Sequence, residues 1–483
     1  MTRPTGPTIR PWLVALALAP AWLGGGCNCK DQTLAPIVFD DDGQTGPIDP
    51  SRVLAPPWQA PSVMQLDNGA LVHWLVEPGD PAFHLRVLMP TSVHADKLGA
   101  AGTSAALHAL ELRLSARLRR IEDAQYDLHS RAGRVEFAVH GRDRDALALI
   151  SAVADTLADA GDPKLLALAQ GKVLAKHREA DASALAAAGL ISVLLDHRLS
   201  HEYASKPDLV ELNRARLERS WTLLSDPRHC VVVVHSSRTA EELGEGVELL
   251  GSRWKAGVLG LGSGKPTATQ RLHVDSPKKP AETWIFGETP APLHVLSGTP
   301  DRRNRAVIMF GRLLPTESVE ARTLARISQR LLQEELDVRL IVAGPISVLA
   351  VRVYVPAGEP WAEVDAAIER MQAMATTAQP LPRVRQAADL WLGARMVDAS
   401  VSGEDWTALW SESIDLAQED REIFAALARE AQTMLELDPE QVKAFQAKWL
   451  DPRGGEPGWV WVASGLTADV QAKLALRVEL LEL

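Results

Sequence analysis

From Met64 onward, apolar and polar positions alternate or recur in patterns that divide the chain into strands and helices. Leu71–Val76 and His84–Met89 read as strands. Asn68-Gly69 lies between apolar segments, a two-residue signal for a hairpin. Leucines 107, 110, 114 and 118 fall on one face of a helix running from Gly102 to about Arg120. Arg134–His140 alternates with period 2, as a strand does. Ala146–Ala160 and Pro163–Arg178 carry helical spacing, and Val231–His235 reads as a short buried strand.

The plan then returns. Asn213–Arg228 (NRARLERSWTLLSDPR) aligns with Asp438–Arg453 (DPEQVKAFQAKWLDPR) at an offset of 225 residues. Leu217 matches Val442, Trp221 matches Gln446, and Asp226-Pro227-Arg228 matches Asp451-Pro452-Arg453. A strand pattern follows each copy, Val231–Val234 and Trp459–Val462. Asp181-Ala182-Ser183 recurs as Asp398-Ala399-Ser400 at a similar offset of 217. Matching order and spacing point to a duplicated unit of about 220 residues. The segment between the copies, Lys255–Ala281, is rich in Gly, Ser, Pro and Lys, a linker composition.

Composition narrows the classes. The chain has 483 residues, a net charge of −11 and only three cysteines. That excludes a disulfide scaffold and argues against general nucleic-acid binding, which needs a basic face. The first residues form an address: Arg3 and Arg10, the apolar run Trp12–Leu23, then three glycines and Cys27. The run is too short for an ordinary membrane-spanning helix. Residues 1–26 therefore read as a signal peptide. Residues 27–62, with Asp40-Asp41-Asp42 and several prolines, read as a flexible tether. Cys29 and Cys230 are the other thiols; a bridge and two unpaired cysteines are both open.

The candidate chemistry is sparse. There is no P-loop, Rossmann fingerprint or G-x-S-x-G elbow. Asp40–Asp42 lacks the later glutamate of a calcium loop. His197 and His201 are four apart beside Asp196 and Glu202, a spacing that suits either a metal pair or a solvated helix end. His177-Arg178-Glu179 reads as a polar helix end. His108 and Glu111 share one helix face. One such pair is about what chance provides, so local bonding, with Glu111 solvated or paired to Arg113 or Arg119, is the plain alternative.

Several of these landmarks together resemble the pitrilysin/insulinase family of zinc metallopeptidases, which includes the mitochondrial processing peptidase subunits. Leu66-Asp67-Asn68-Gly69 is similar to the family's opening turn, and His201-Glu202-Tyr203 stands where its members often have His-Pro-Tyr. Trp221–His235 and Arg253-Trp254 resemble two later family segments. The resemblance spans roughly 64–465. It implies an α+β fold of two homologous units, mainly antiparallel sheet covered by helices, closing like a clamshell: residues 63–254 and 282–483, joined by the linker 255–281. It also implies a helical His-x-x-Glu-His motif, whose two histidines hold zinc while the glutamate activates water, with a later glutamate as third ligand.

Here the motif reads His108-Ala109-Leu110-Glu111-Leu112, so leucine replaces the second histidine. Aligning on Gly102 instead places Ala105, His108 and Ala109 at the motif positions, with no ligand pair. The third-ligand position falls near Lys176, and Glu179 would serve only if the register slips. In the second unit Arg330-Leu331 matches the start of the family's substrate-holding stretch. Leu336 and Ala343 replace its arginine and tyrosine, and Leu340 replaces the glycine after Arg339. Separately, Leu23-Gly24-Gly25-Gly26-Cys27 resembles a bacterial lipoprotein signal, which implies Cys27 as the lipidated residue, although Leu23 lies four rather than the usual three residues before it. The expected protein is therefore a non-catalytic homologue lipid-anchored in the cell envelope, periplasmic or outer-membrane, with secretion as the alternative. It would bind peptide or protein or partner an active insulinase-like peptidase, without a cofactor. The alternatives are a zinc peptidase with a shifted site, using His108, Glu111 and Glu179 or a histidine from elsewhere, and a structural envelope lipoprotein.

Overall fold

The period-2 runs pair into two six-stranded sheets, and the helical runs pack against both of them. The structure, a computed structural model, describes residues 61–90, 100–131, 134–158, 163–195, 213–255, 284–286, 289–291, 293–296, 300–301, 303–316, 318–343, 346–401, 403–414, 423–453, 458–475 and 480–481. All of them fall within one compact unit, Ile48–Leu483.

The first half comprises β1 (Ser62–Gln65), β2 (Leu71–Val76), β3 (Ala82–Pro90), α1 (Ala100–Leu118), β4 (Gln125–Arg131) and β5 (Arg134–Arg142). It continues with α2 (Ala146–Leu157), α3 (Pro163–Glu179), α4 (Ala182–Leu195), α5 (Arg214–Leu224), β6 (Val231–Ser236) and α6 (Gly244–Arg253). A short hairpin follows, β7 (Trp284–Phe286) with β8 (Thr289–Ala291). The second half comprises β9 (Leu293–Leu296), β10 (Arg305–Pro315), α7 (Val319–Leu332), β11 (Asp337–Ala343), β12 (Ile346–Pro356), α8 (Trp361–Thr376) and α9 (Leu381–Val401). After these come α10 (Gly403–Ile414), α11 (Ile423–Leu435), α12 (Pro439–Trp449), β13 (Val460–Ser464), α13 (Ala468–Ala475) and β14 (Leu480–Leu481).

The sheets have the orders β1-β2-β6-β3-β5-β4 and β11-β12-β10-β13-β9-β14. Read from opposite ends, β2-β6-β3-β5-β4 and β9-β13-β10-β12-β11 are the same arrangement, each with one parallel pair and otherwise antiparallel neighbours. The sixth strand differs, because β1 joins antiparallel from the N-terminal side whereas β14 joins parallel from the C-terminal side. The repeated Asp-Pro-Arg has a local cause: Asp226 accepts from the Arg228 amide at 3.1 Å and Asp451 from the Arg453 amide at 2.9 Å. Each aspartate thus fixes the turn that follows a helix and leads to a core strand. The Asn-Gly turn is likewise anchored. Gly69 has φ +93°, and Asn68 donates to the Leu250 and Trp254 carbonyls at the end of α6.

The central strands alternate between two buried faces, whereas the edge strands β1, β4 and β11 carry exposed residues. In the first sheet Val72, Trp74, Phe83, Leu85, Val87, Phe137, Val139, Val232 and Val234 face a core built with α1, α2, α5 and α6. In the second, Ile308, Phe310, Leu349 and Val351 face α7, α8, α9 and α12. The opposite faces are covered by exchange. Ala182, Ala186, Leu190 and Leu194 of α4, a stripe at four-residue spacing, pack on Val307, Met309, Val348 and Val462 of the second sheet. Trp406 and Trp410 of α10 pack on Leu75, Leu88, Val231 and Val233 of the first. Burying Leu190 and Leu194 contributes roughly 1.5–3 kcal/mol each. Gly189 and Gly311 allow α4 this approach: a Cβ on Gly311 would meet Leu190 Cδ2 of α4 at 2.9 Å, and one on Gly189 would meet Leu296 Cδ1 of the second sheet at 2.9 Å.

Candidate functional site

Helix α1 carries His108 and Glu111 on the side that meets α3. His108 Nδ1 lies 3.1 Å from a Glu111 carboxylate oxygen. Lys172 of α3 donates to that same oxygen at 3.1 Å. Burial raises the Glu111 pKa, but the bonds from His108 and Lys172 outweigh it, so the carboxyl lies below its ordinary range. The carboxylate therefore pairs with Lys172 of the neighbouring helix rather than with Arg113 or Arg119; Arg113 instead donates to the Thr156 carbonyl and stacks over Trp221.

The donor set that the family resemblance implies is not assembled on α1. Leu112 is half-buried and offers no ligand atom, and Ala105 and Ala109 are in the core. An ammonium group stands against the carboxylate, where it would repel a dication. The described side chains of this helix pair therefore do not fit a catalytic zinc. Glu179 ends α3, and its side chain lies outside the described residues. Cys27, Cys29, Asp40–Asp42, His197 and His201 also lie outside them. Cys230 is buried, its Sγ 3.2 Å from the Asp226 carbonyl oxygen, and burial pushes its thiol pKa well up. Arg330 is exposed on α7, Leu336 is half-buried against the second core, and Arg339 is exposed on β11.

A denser polar cluster lies on the other face of the first sheet, beneath α10. His235 of β6, His84 of β3 and His140 of β5 occupy one cross-sheet row, His235 opposite His84 and His84 opposite His140. The Nδ1 atoms of His84 and His140 are 2.9 Å apart, and the His84 and His235 ring centroids 5.8 Å apart. Carboxylates ring the row. Asp127 lies 3.0 Å and Glu404 of α10 3.7 Å from His140 Nε2; Glu77 lies 2.8 Å from His235 Nε2 and Asp80 3.8 Å from His235 Nδ1. Burial, then the charges of His140, His235 and Arg86, push the His84 pKa down to about 3. The next row holds Arg86 and the next again Glu136, which form a buried ion pair at 3.1 Å; Arg134 also pairs with Glu136 and donates to the Ser411 carbonyl of α10. His73 of β2 accepts the indole N–H of Trp410 at 3.1 Å, and burial lowers its pKa to about 4.

Sequence spacing misses this cluster because histidines in separate strands share no period. One signal was available: His84 stands near the start of its strand, His140 and His235 near the ends of theirs. Antiparallel pairing brings those ends together.

No family model matches the chain, and no curated protein matches it. Solved structures do. The inactive domain of an M16 peptidase from Pseudomonas fluorescens matches with TM-score 0.64 at 12% identity, over 85% of this chain and 98% of that one. A protease from Helicobacter pylori matches with TM-score 0.64 at 10% identity, over 83% and 98%. A chain of complex III2 from Candida albicans matches with TM-score 0.59 at 11% identity, over 85% and 97%. The chain has the fold of M16, insulinase-like peptidases, a fold that an inactive peptidase domain also adopts.

Proposed function

We propose that the protein is a catalytically silent M16-like scaffold, held at the cell envelope through Cys27, that binds peptides or proteins or serves as partner to an active peptidase. The observation that carries this reading is the Lys172 ammonium on Glu111, next to Leu112 at the position of the second histidine. A general base must be free to take a proton from water; here one carboxylate oxygen is held by a cation, which lowers the basicity of the whole group. Strand β4 supports the binding role. It pairs only with β5 and closes one end of the first sheet among the described residues, beside α1. An open edge offers backbone donors and acceptors to an extended peptide without requiring particular side chains. The likeness to a chain of complex III2 supports a role inside an assembly.

The test is a peptidase assay on the mature chain with excess Zn²⁺, alongside Glu111→Gln. Both proteins should leave unstructured peptides intact, and co-purification should bring down a peptidase carrying an intact His-x-x-Glu-His. Zinc-dependent hydrolysis that disappears in Glu111→Gln would overturn the reading. Failure to capture any peptide or protein would leave the scaffold as a structural envelope component.

A further inference from the structure

The histidine row has the makings of a site that the helix pair α1–α3 lacks. One ligand atom each of His84, His140 and Glu404 lies within 4.8 Å of the other two. Donors on a tetrahedral zinc-class ion, bonded at about 2.0–2.1 Å, stand roughly 3.3 Å apart. The Nδ1 atoms of His84 and His140, 2.9 Å apart, stand close to that value; Glu404 lies 3.7 Å from the other His140 nitrogen, Nε2, and turning its exposed side chain to the Nδ1 side would complete the set. Both rings are nearly buried, whereas the Glu404 side chain is 49% exposed and leaves a route from solvent.

The hydrogen bonds describe what such an ion would replace. With the Asp127 carboxylate accepting at Nε2, His140 carries its proton there and turns its Nδ1 lone pair toward His84. The His84 Nδ1 proton then bridges the two rings. A cation taking that place would release this proton to solvent, and the Asp127–His140 bond would orient the ring as carboxylates do behind metal-ligating histidines. Beside it, His235 Nδ1 is buried without a hydrogen-bond partner and faces Asp80. Imidazole and carboxylate together suit zinc, nickel, cobalt(II) or copper(II), not magnesium or calcium.

We propose that His84, His140 and Glu404 form a binding site for one divalent transition-metal ion of the zinc class, tying the first sheet to helix α10 of the second half. Two ligands come from one half and the third from the other, so occupancy would stabilise the closed arrangement of the halves.

The test is calorimetric titration of the chelator-stripped mature chain with Zn²⁺, and Co²⁺ absorption as a report on geometry. One ion per chain is expected. His140→Ala should lower affinity at least tenfold. So should Glu404→Gln, which alters a half-exposed carboxylate and keeps the fold readable if His140→Ala does not fold. Zn²⁺ should raise the unfolding temperature of the parent chain and not of Glu404→Gln. His108→Ala should bind as the parent does. No binding, or binding that survives both cluster variants, overturns the proposal. Binding lost only in His108→Ala overturns it and reassigns the ion to α1, and only that outcome also counts against the silent helix pair.

Discussion

Trp410→Ala should be among the most damaging single substitutions in the molecule. The indole is 3% exposed, stacks on Trp406 with ring centroids 5.4 Å apart, and gives its N–H to buried His73. A tryptophan side chain buries about 200 Å², which at about 25 cal/mol/Å² gives an upper figure of about 5 kcal/mol. Large aromatic-to-alanine changes in cores cost roughly 3–5 kcal/mol, in agreement with that figure. Trp410→Phe keeps most of the packing and removes the N–H, so it should cost less, about 1–3 kcal/mol for the acceptor left unpaired on His73. The assay is denaturant unfolding followed by circular dichroism, with Tm as a second readout. A loss under about 1 kcal/mol in Trp410→Ala would refute the seating of α10 on the first sheet. Equal losses in the alanine and phenylalanine variants would refute the division between packing and hydrogen bond.

Three further outcomes follow from particular residues. His73 has a folded pKa of about 4 against 6.5 for the free side chain, so between those values the unfolded chain holds the extra proton. The stability from keeping His73 neutral is whole above pH 6.5 and drains as pH falls toward 4, by about 1.4 kcal/mol per pH unit; the stability–pH slope of His73→Gln should be shallower by that amount. Gly403→Ala would place a Cβ 2.2 Å from His235 Nδ1 and should lower stability by roughly 1–3 kcal/mol, whereas Gly244→Ala meets nothing within 4 Å and should be neutral or slightly stabilising in the same thermal assay. Glu111→Gln should change unfolding free energy by no more than about 1 kcal/mol, because the Lys172 side chain is 42% exposed; a larger loss would make the ion pair a structural requirement of the α1–α3 contact.

Much of this architecture was legible because it is periodic. Leu107, Leu110, Leu114 and Leu118 of α1 are all buried, and the alternation in Arg134–His140 sorts its residues onto two faces as the pleat requires. The Asp-Pro-Arg repeat marked equivalent turns because each aspartate makes the same bond. The site was less legible. Leu112 could be read as a lost ligand directly, but Lys172 meets Glu111 only through the packing of two helices. The histidine row depends on strand order, and its carboxylate arrives from α10, in the other half of the chain. Helix α4 is apolar but for Ser183, Ser192 and its glycine, and nothing in its pattern named the second sheet as its cover.

The exchange of α4 and α10 gives the molecule the logic of a swapped dimer whose two chains were later joined end to end. Covalent continuity between the halves is then dispensable in a way that the interlock is not. A cut between them should leave one particle that sediments as before. Either half made alone carries a tryptophan- or leucine-bearing helix with no sheet to cover and a sheet face with no helix, and so it should associate with whatever offers the missing piece, including another copy of itself.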